Sequence, residues 1–296
     1  MSTTSPEITA ILSQACGAAG LDPGAAVPVR LGENAIFRLP GGVIARISRP
    51  GQQSAARREV AVSRWLNGAG IAAVTVIAGI AQPVEVGERS ITFWEELPPH
   101  RHGTPAEVAG VLRRLHAQAM PDNPRLGTLD PFIRLHERLS TAQTLNRDDR
   151  QWLQSHADEL KPRWSALLPG TAFCVVHGDA WAGNVVAAAD GTMILLDLER
   201  CSAGPPEWDL ASTAVKHLTC GLISRAEYGQ FCGTYGADVT SWEGYEVVRD
   251  IRELRMTSYI AQQAATNSSY AHEAQLRVDC LRGRNGPRPW RWTPAT

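Results

Sequence analysis

The chain has 296 residues, enough for one or two folding units with a substantial core. Hydrophobic residues make up 44% and charged residues 20%, a globular composition that excludes a largely disordered protein. The 29 basic and 30 acidic side chains nearly cancel, so no single-sign field favours a nucleic acid or membrane partner. Only Lys161 and Lys216 are lysines, so a site that needs a cation must use arginine almost everywhere.

Six scattered cysteines without paired spacing are typical of reduced thiols rather than of disulfides or a zinc site. The first residues, MSTTSPEITAILSQ, have neither the basic nor the apolar region of a signal peptide. The most apolar stretch, residues 70–81, is too short to span a bilayer. We therefore expect a cytoplasmic protein with no membrane partner.

The first third of the chain predicts one helix followed by a small antiparallel sheet. Ser5 is a potential helix cap with Pro6 at the first helical position. Short β-type runs then alternate with glycine-containing turns, and one helix, which Gly68 is expected to end, interrupts them. The predicted strands cover 27–31, 35–39, 43–47, 82–86 and 90–96, and the helix covers 53–67.

After Pro98-Pro99 the pattern becomes mainly helical. Thr104 and Glu107 form a capping box that opens a helix with an apolar face. We place the boundary here, with an N-terminal domain over 1–97, a hinge at about 94–99 and a C-terminal domain over 98–296. Further helices are predicted over 131–145, 148–168, 207–218, 224–235 and 243–265.

A polar loop over 177–184 separates a buried strand, 173–176, from two apolar runs around Asp190-Gly191. A two-residue turn at 190–191 predicts a hairpin in which Asn184 lies directly opposite Asp197. Directly opposed residues point to the same face of the sheet, with Cβ atoms roughly 4.5–5.5 Å apart. That placement predicts a shared hard cation such as Mg²⁺.

Asp179, Asn184 and Asp197 are the parts that a phosphoryl-transfer site needs. One carboxylate orients the attacking hydroxyl and accepts its proton, while an amide and a second carboxylate hold Mg²⁺ on the nucleotide phosphates. The alternative is a plain hairpin whose polar residues serve turns and caps, and an isolated H-G-D favours that alternative. The D-x₄-N spacing, the predicted register and the final aspartate together favour the chemical interpretation.

Three blocks of sequence resemble the aminoglycoside phosphotransferase-like kinases, relatives of the protein-kinase fold: HGDAWAGN (177–184), LLDLE (195–199) and GPPEWDLA (204–211). The resemblance covers nearly the whole chain. It implies an α+β, two-lobed, protein-kinase-like fold with a small antiparallel-sheet N-terminal lobe and a mainly helical C-terminal lobe. It also implies that Asp179 is the catalytic base, that Asn184 and Asp197 bind Mg²⁺, and that Asp209 braces the loop.

The resemblance assigns nucleotide contacts in the N-terminal domain. Gly32, Glu33 and Asn34 correspond to the loop over the triphosphate, although a plain hairpin turn explains them equally well. Arg46 stands where these kinases usually have a lysine, with Glu59 as its expected partner. Alternation along the strand leaves a surface-facing Arg46 equally open.

The segment TFWEEL (92–97) resembles the hinge that binds adenine. The backbone of Glu95 and Leu97 is expected to contact the base, and Trp94 to line its pocket, with a buried core tryptophan as the alternative. ATP is the expected phosphate donor, with GTP left open. Glu199 is left open between a contact to metal or substrate and a solvated turn, and His177 is interpreted as structural.

The predicted function is ATP-dependent O-phosphorylation of a hydroxylated small molecule, an aminoglycoside or other antibiotic. Asp197 and Asp209 are only twelve residues apart, too close for the longer segment with which protein kinases dock a peptide. A mild acidic excess over 226–256 suits a cationic acceptor, although a solvated surface explains it as well. The alternatives are a kinase for a choline-like, hexose or amino-alcohol metabolite, and a non-catalytic nucleotide-binding pseudokinase. Oligomeric state is left open.

Overall fold

The computed structural model describes residues 5–31 and 34–294, which form two compact units. The first unit runs to Gly103 and includes 120–126 and 183–201; the second comprises 104–119, 127–182 and the chain from 202 onward. The division expected at 97/98 is a single cut through the sequence. In the structure, residues 183–201 belong to the first unit, because the hairpin that they form pairs with the strand His100–His102.

The first helix, α1 (Pro6–Ala19), begins where the sequence predicts it. The Ser5 side chain accepts a hydrogen bond from the Ile8 amide at 3.3 Å, which satisfies one of the free donors of the first turn. The helix buries Leu12, Ala15 and Cys16 against the five-stranded sheet.

That sheet has the strand order β1-β2-β3-β5-β4, and every neighbouring pair is antiparallel. Its strands are β1 (Val27–Leu31), β2 (Ala35–Leu39), β3 (Val43–Ile47), β4 (Val84–Val86) and β5 (Arg89–Glu95). Because side chains alternate along a strand, Ala45 faces the core that α1 covers, whereas Ile44 and Arg46 face the helix α2 (Gln53–Gly68). The predicted sheet and its crossing helix are confirmed.

A second sheet in this unit contains β6 (His100–His102), β8 (Val185–Ala188) and β9 (Met193–Leu195) in the order β6-β8-β9. The hairpin loop has three residues, 189–191, and it closes through the Ala188 amide and the Thr192 carbonyl at 2.9 Å. Gly191 adopts the positive φ of 84° that ends such a loop.

The predicted register of this hairpin is therefore wrong by one residue. Val185 opposes Leu195, and the Asn184 carbonyl accepts a hydrogen bond from the Leu196 amide. The reason is the extra loop residue. A dipeptide such as Asp190-Gly191 is compatible with a two-residue or a three-residue loop, and the hydrogen-bonded pair that closes the loop, here Ala188 and Thr192, sets its length. Asp197 consequently lies one position beyond the residue opposite Asn184.

The second unit is mainly helical, with one two-stranded antiparallel sheet. Its elements are α3 (Pro105–His116), α4 (Leu135–Thr141), α5 (Arg147–Leu167), β7 (Cys174–Val176), β10 (Ser202–Gly204), α6 (Glu207–Leu218), α7 (Arg225–Tyr235), α8 (Tyr245–Thr266) and α9 (Ala271–Leu281). The predicted capping box at Thr104 forms, and a second one forms at Ser224 with Glu227. The helix predicted over 131–145 is shorter, because Arg134 adopts a left-handed conformation and α4 begins after it.

The six cysteines are free thiols, and four of them are buried. The expectation of reduced thiols is confirmed. Among residues 5–31 and 34–294, no helix is both long and apolar enough to cross a membrane.

Candidate active site

The loop that carries Asp179 is attached to the first turn of α6. The buried carboxylate of Asp209 accepts hydrogen bonds from the His177 amide at 2.7 Å and from the Gly178 amide at 2.9 Å. The Trp208 indole donates to the Gly178 carbonyl at 2.8 Å. Hydrogen bonds to an ionised acceptor are among the stronger ones, so α6 holds the loop backbone firmly. This is the bracing role that the resemblance implied for Asp209.

Asp209 stays ionised although it is fully buried. Burial acts to raise the pKa of Asp209, but a hydrogen bond from His116 and the fields of His116, His177 and Arg252 lower it below its ordinary value. His116 Nε2 lies 3.2 Å from the carboxylate, and its Nδ1 lies 2.9 Å from the Tyr235 hydroxyl. The carboxylate that positions the loop is therefore itself held by side chains of α3, α7 and α8.

Asp179 is the residue of the loop start that reaches solvent. His177, Gly178 and Ala180 are buried, whereas Asp179 is partly exposed. Its amide donates to His177 Nδ1 at 3.3 Å, so the buried imidazole shapes the turn. The arrangement presents one carboxylate outward from a fixed backbone, and it supports the structural interpretation of His177.

In the first unit, Arg46 on β3 and Glu59 on α2 form a buried ion pair. Arg46 Nη1 donates to both Glu59 carboxylate oxygens, at 2.6 and 2.8 Å. The Glu59 side chain is 6% exposed and that of Arg46 is 19% exposed. The predicted partnership is confirmed, and the alternative of a surface-facing Arg46 is wrong because α2 covers this face of β3.

The same guanidinium gathers two further partners. Arg46 Nη2 donates to Glu199 Oε2 at 3.1 Å, and the Asn34 amide oxygen, in the orientation that satisfies its hydrogen bonds, accepts from Nη2 at 2.8 Å. Glu199 lies in a 3-10 turn, Leu198–Arg200, and its carbonyl accepts from Arg58 on α2 at 3.1 Å. Glu199 is therefore an ion-pair partner of Arg46, a role that neither sequence alternative contained.

Acidic charge exceeds basic charge around Arg46. Burial and the fields of Asp197 and Glu199 raise the pKa of Glu59 to about 7, against the lowering effect of Arg46. Burial acts to lower the pKa of Arg46, but the fields of Glu59, Asp197 and Glu199 outweigh it and raise that pKa. Three carboxylates act on one guanidinium, and a bound cation would relieve their mutual repulsion.

Asn184 and Asp197, the two predicted metal ligands, flank the hairpin of β8 and β9. Asn184 is buried immediately before β8, and Asp197 follows β9 with a left-handed backbone, φ 54° and ψ 62°. In the part of the chain that the structure describes, no group of three or more His, Cys, Asp or Glu side chains could hold a metal. Amide and carboxylate oxygens suit Mg²⁺, which commonly takes one or two carboxylates and completes its shell with phosphates and water.

The predicted adenine-binding residues lie on and just after β5. Trp94 is buried with Val60 and Val76, and its indole donates to the Thr92 hydroxyl at 2.8 Å, so it is a core residue of the first unit. The Glu95 amide donates to the Thr75 carbonyl at 2.8 Å. Leu97 follows the end of the strand. Gly32 and Glu33, predicted to cover the triphosphate, lie outside the described residues.

A family model of a phosphotransferase enzyme family matches residues 32–251, well over half of the chain. The chain belongs to this phosphotransferase family. No curated protein matches its sequence at a significant level.

Solved structures place the phosphotransferase in the kinase-like fold. A microcompartment-associated aminopropanol kinase has a TM-score of 0.67 at 16% identity, over 94% of this chain and 99% of that one. A choline/ethanolamine kinase family protein from Mesorhizobium loti has a TM-score of 0.60 at 17% identity, over 93% of each chain. Aminoglycoside phosphotransferase APH(3'')-Id from Streptomyces rimosus has a TM-score of 0.57 at 18% identity, over 84% of this chain and 97% of that one. At these identities the similarity shows the fold, and the α+β kinase-like prediction is confirmed.

Several residues of the phosphotransferase site were not found from its sequence. No motif in the sequence predicts a role for Arg58 or His116. Lys216 lies with its Nζ 3.9 Å from the centroid of the Trp181 ring, beside the loop that carries Asp179. Its rarity, as one of two lysines, is the only sequence signal that could have drawn attention to it.

Proposed function

We propose that this phosphotransferase moves the γ-phosphoryl group of ATP to a hydroxyl of a small molecule, with Asp179 as the base. The observation that carries the proposal is the partly exposed Asp179 on a loop in which the two preceding amides are bonded to Asp209. A fixed backbone holds the carboxylate where it can orient a hydroxyl and accept its proton. Positioning and electrostatics supply most of the catalysis in phosphoryl transfer.

We assign Mg²⁺ to the oxygens of Asn184 and Asp197, which fit a hard cation. When bound there, the ion neutralises negative charge on the nucleotide phosphates. The surplus of carboxylates around Arg46 supports this assignment, because it is an environment that lacks positive charge.

We assign the nucleotide to the first unit, with Arg46 toward its phosphates and the backbone of Glu95 and Leu97 toward its base. The amide of Glu95 is already bonded to Thr75, so its carbonyl is the group offered to adenine. Trp94 would bound that pocket from the core side, and Gly32, Glu33 and Asn34 would cover the phosphates. A phosphate oxygen that reaches Arg46 would compete with Glu199, the more exposed of its two carboxylate partners. Support for nucleotide use comes from APH(3'')-Id, which was crystallised with ADP and streptomycin.

The acceptor is a hydroxylated small molecule, and an aminoglycoside or related antibiotic is our first candidate. The acidic excess over 226–256 lends this little support, because most of those acids are used inside the fold. Glu227 and Asp238 accept local backbone hydrogen bonds, Asp250 and Glu253 pair with arginines, and Glu246 lies 3.7 Å from Arg249.

A small amino alcohol is the second candidate. The aminopropanol and choline/ethanolamine kinase-type structures cover 94% and 93% of this chain, against 84% for APH(3'')-Id. Coverage does not separate the two candidates, because a spectinomycin phosphotransferase, APH(9)-Ia, covers 96% of this chain. Solved kinases for amino alcohols and for antibiotics share this fold, and that keeps the second candidate beside the first.

A screen for acceptor-dependent ADP release tests the proposal. The panel contains aminoglycosides, hexoses, choline, ethanolamine and aminopropanol, each with Mg²⁺–ATP. We expect one class to stimulate ADP release and to yield a phosphomonoester visible by ³¹P NMR, and Asp179→Asn to abolish both. Nucleotide binding without stimulation by any acceptor would instead support the pseudokinase alternative.

A further inference from the structure

Helix α6 touches the catalytic loop at two places. Asp209, in its first turn, holds the His177 and Gly178 amides. Lys216 lies seven residues later, two turns along the same face, and its ammonium rests on the Trp181 ring. Asp179 lies between the two contacts in sequence. The first contact fixes the start of the loop, and the second meets the part that follows the predicted base.

Among the residues that the structure describes, one anion acts on Lys216. Three titratable groups act on it: the Cys220 thiol just beyond α6, the Asp179 carboxylate of the loop and the Arg252 guanidinium of α8. Burial raises the pKa of Cys220 to about 12, so that thiol is neutral at physiological pH. Arg252 is buried, and its guanidinium donates to the Trp208 carbonyl at 2.9 Å. Asp179 is therefore the only anion among the three.

The ammonium of Lys216 has no close ionic partner. Among the residues that the structure describes, its Nζ makes no hydrogen bond and no ion pair, and its ring contact is with Trp181. Burial lowers the pKa of Lys216 to about 8, and the field of Asp179 acts in the opposite direction. Taking an ammonium out of water without an ion pair is costly, so an ordinary surface role does not describe this lysine. The ring of Trp181 and the field of Asp179 stabilise the charged form of Lys216 and offset part of this cost.

We propose that Lys216 is a positioning residue for the phosphoryl transfer, whose ammonium holds Trp181 and attracts Asp179, so that the loop keeps the base in its working geometry. This inference rests on the proposed function. Since a neutral amine keeps neither the attraction to the ring nor that to the carboxylate, the effect belongs to the protonated lysine. It is complete at neutral pH and is lost as the pH rises through about 8.

Three variants test the role in turnover. Lys216→Met removes the charge with little change in length, and we expect kcat at neutral pH to fall on the order of 10–100-fold with KM for ATP nearly unchanged. Lys216→Arg stays charged at all accessible pH values, so it should retain most of kcat and lose the alkaline decline of the wild type. The control is Lys161→Met, because Lys161 is exposed on α5 and bonds only to Asp158 at 2.8 Å. Wild-type kcat and an unchanged alkaline decline in folded Lys216→Met would overturn the proposal.

A titration that needs no acceptor tests the interaction itself. Protein made with [¹³Cε]lysine has two lysine signals, and Lys161→Met assigns them. We expect the Lys216 signal to titrate near pH 8, and its midpoint to move to lower pH in Asp179→Asn, because that variant removes the only anion that raises it. An unmoved midpoint overturns the proposal. If no acceptor is ever found, the proposed function fails while this shift is still measured, so the two failures are distinguishable.

Discussion

The two regions that carry the candidate chemistry are built in opposite ways. In the second unit, the loop around Asp179 is bonded to a helix about thirty residues further along the chain, and its anchoring carboxylate, Asp209, is itself matched by His116 and Arg252. In the first unit, Arg46 gathers Asn34, Glu59 and Glu199 from three separate segments, and carboxylates outnumber the guanidinium.

The difference indicates which region is complete without a ligand. The amides of His177, Gly178 and Asp179 are hydrogen-bonded, and the anchoring carboxylate is matched in charge, so the start of the loop is preorganised. The cluster around Arg46 has surplus negative charge, which a bound cation would balance. Changes in the loop should therefore alter turnover, and changes in the cluster should alter the affinity for Mg²⁺ and nucleotide.

The strongest test of this contrast is Asp179→Asn. The amide is isosteric and keeps the loop shape but accepts no proton, so we expect kcat to fall on the order of 10²–10⁴-fold. ATP affinity, measured by calorimetry on the same preparation, should stay nearly unchanged. If Asp179 were only a cap for the loop, the melting temperature would fall and the folded enzyme would keep its kcat.

The next largest effect is expected at the metal ligands. Asp197→Ala should raise the Mg²⁺ concentration needed for half-maximal turnover by roughly tenfold or more, because it removes the charged oxygen donor. Asn184→Ala should raise it less, since the amide oxygen is neutral. Mg²⁺ titrations of turnover measure both. Unchanged Mg²⁺ dependence in the two variants would remove the metal assignment.

Substitutions of Arg46 test whether the cluster around it binds the nucleotide. Arg46→Ala should weaken ATP binding about tenfold, equal to about 1.4 kcal/mol. Arg46→Lys should recover only part, because one ammonium cannot reach Glu59, Glu199 and Asn34 together. Calorimetry of ATP binding measures both variants.

A control is needed because Arg46→Ala also leaves Glu59 buried without its main partner, at a cost of about 3–5 kcal/mol of stability. The double variant Arg46→Ala/Glu59→Gln removes that stranded charge. Wild-type ATP affinity in the double variant would show that Arg46 serves the fold and not the nucleotide.

The smallest effect concerns the pH dependence of stability. The pKa of Glu59 is raised to about 7 from its ordinary 4.5, so the folded state binds more protons than the unfolded state between those values. This carboxyl group therefore supports folding at low pH and loses that contribution as the pH rises through about 7. In Glu59→Gln the unfolding free energy should decline less between about pH 5 and 7, by roughly 2 kcal/mol, in urea titrations without metal. Parallel pH profiles for the two proteins would contradict this.

Local chemistry made most elements predictable. Ser5 with Pro6 and the box at Thr104 begin helices where expected, since caps are formed by residues three positions apart. The strands of the first sheet follow from alternation and glycine turns. The strand β10 and the helix α9 were not predicted, because β10 has only three residues and α9 lacks a side-chain cap.

The sequence by itself determined the family, the loop with Asp179, and the Arg46–Glu59 pair, because short motifs and the resemblance carry them. Only the tertiary structure decided the hairpin register, where one extra loop residue separates Asn184 from Asp197. Only the tertiary structure shows that Arg46 pairs with Glu199, 153 residues away, and that Lys216 contacts the ring of Trp181. The physical reason is that hydrogen bonds of caps and turns form among near neighbours, whereas the partner of a buried charge depends on which distant segments pack around it.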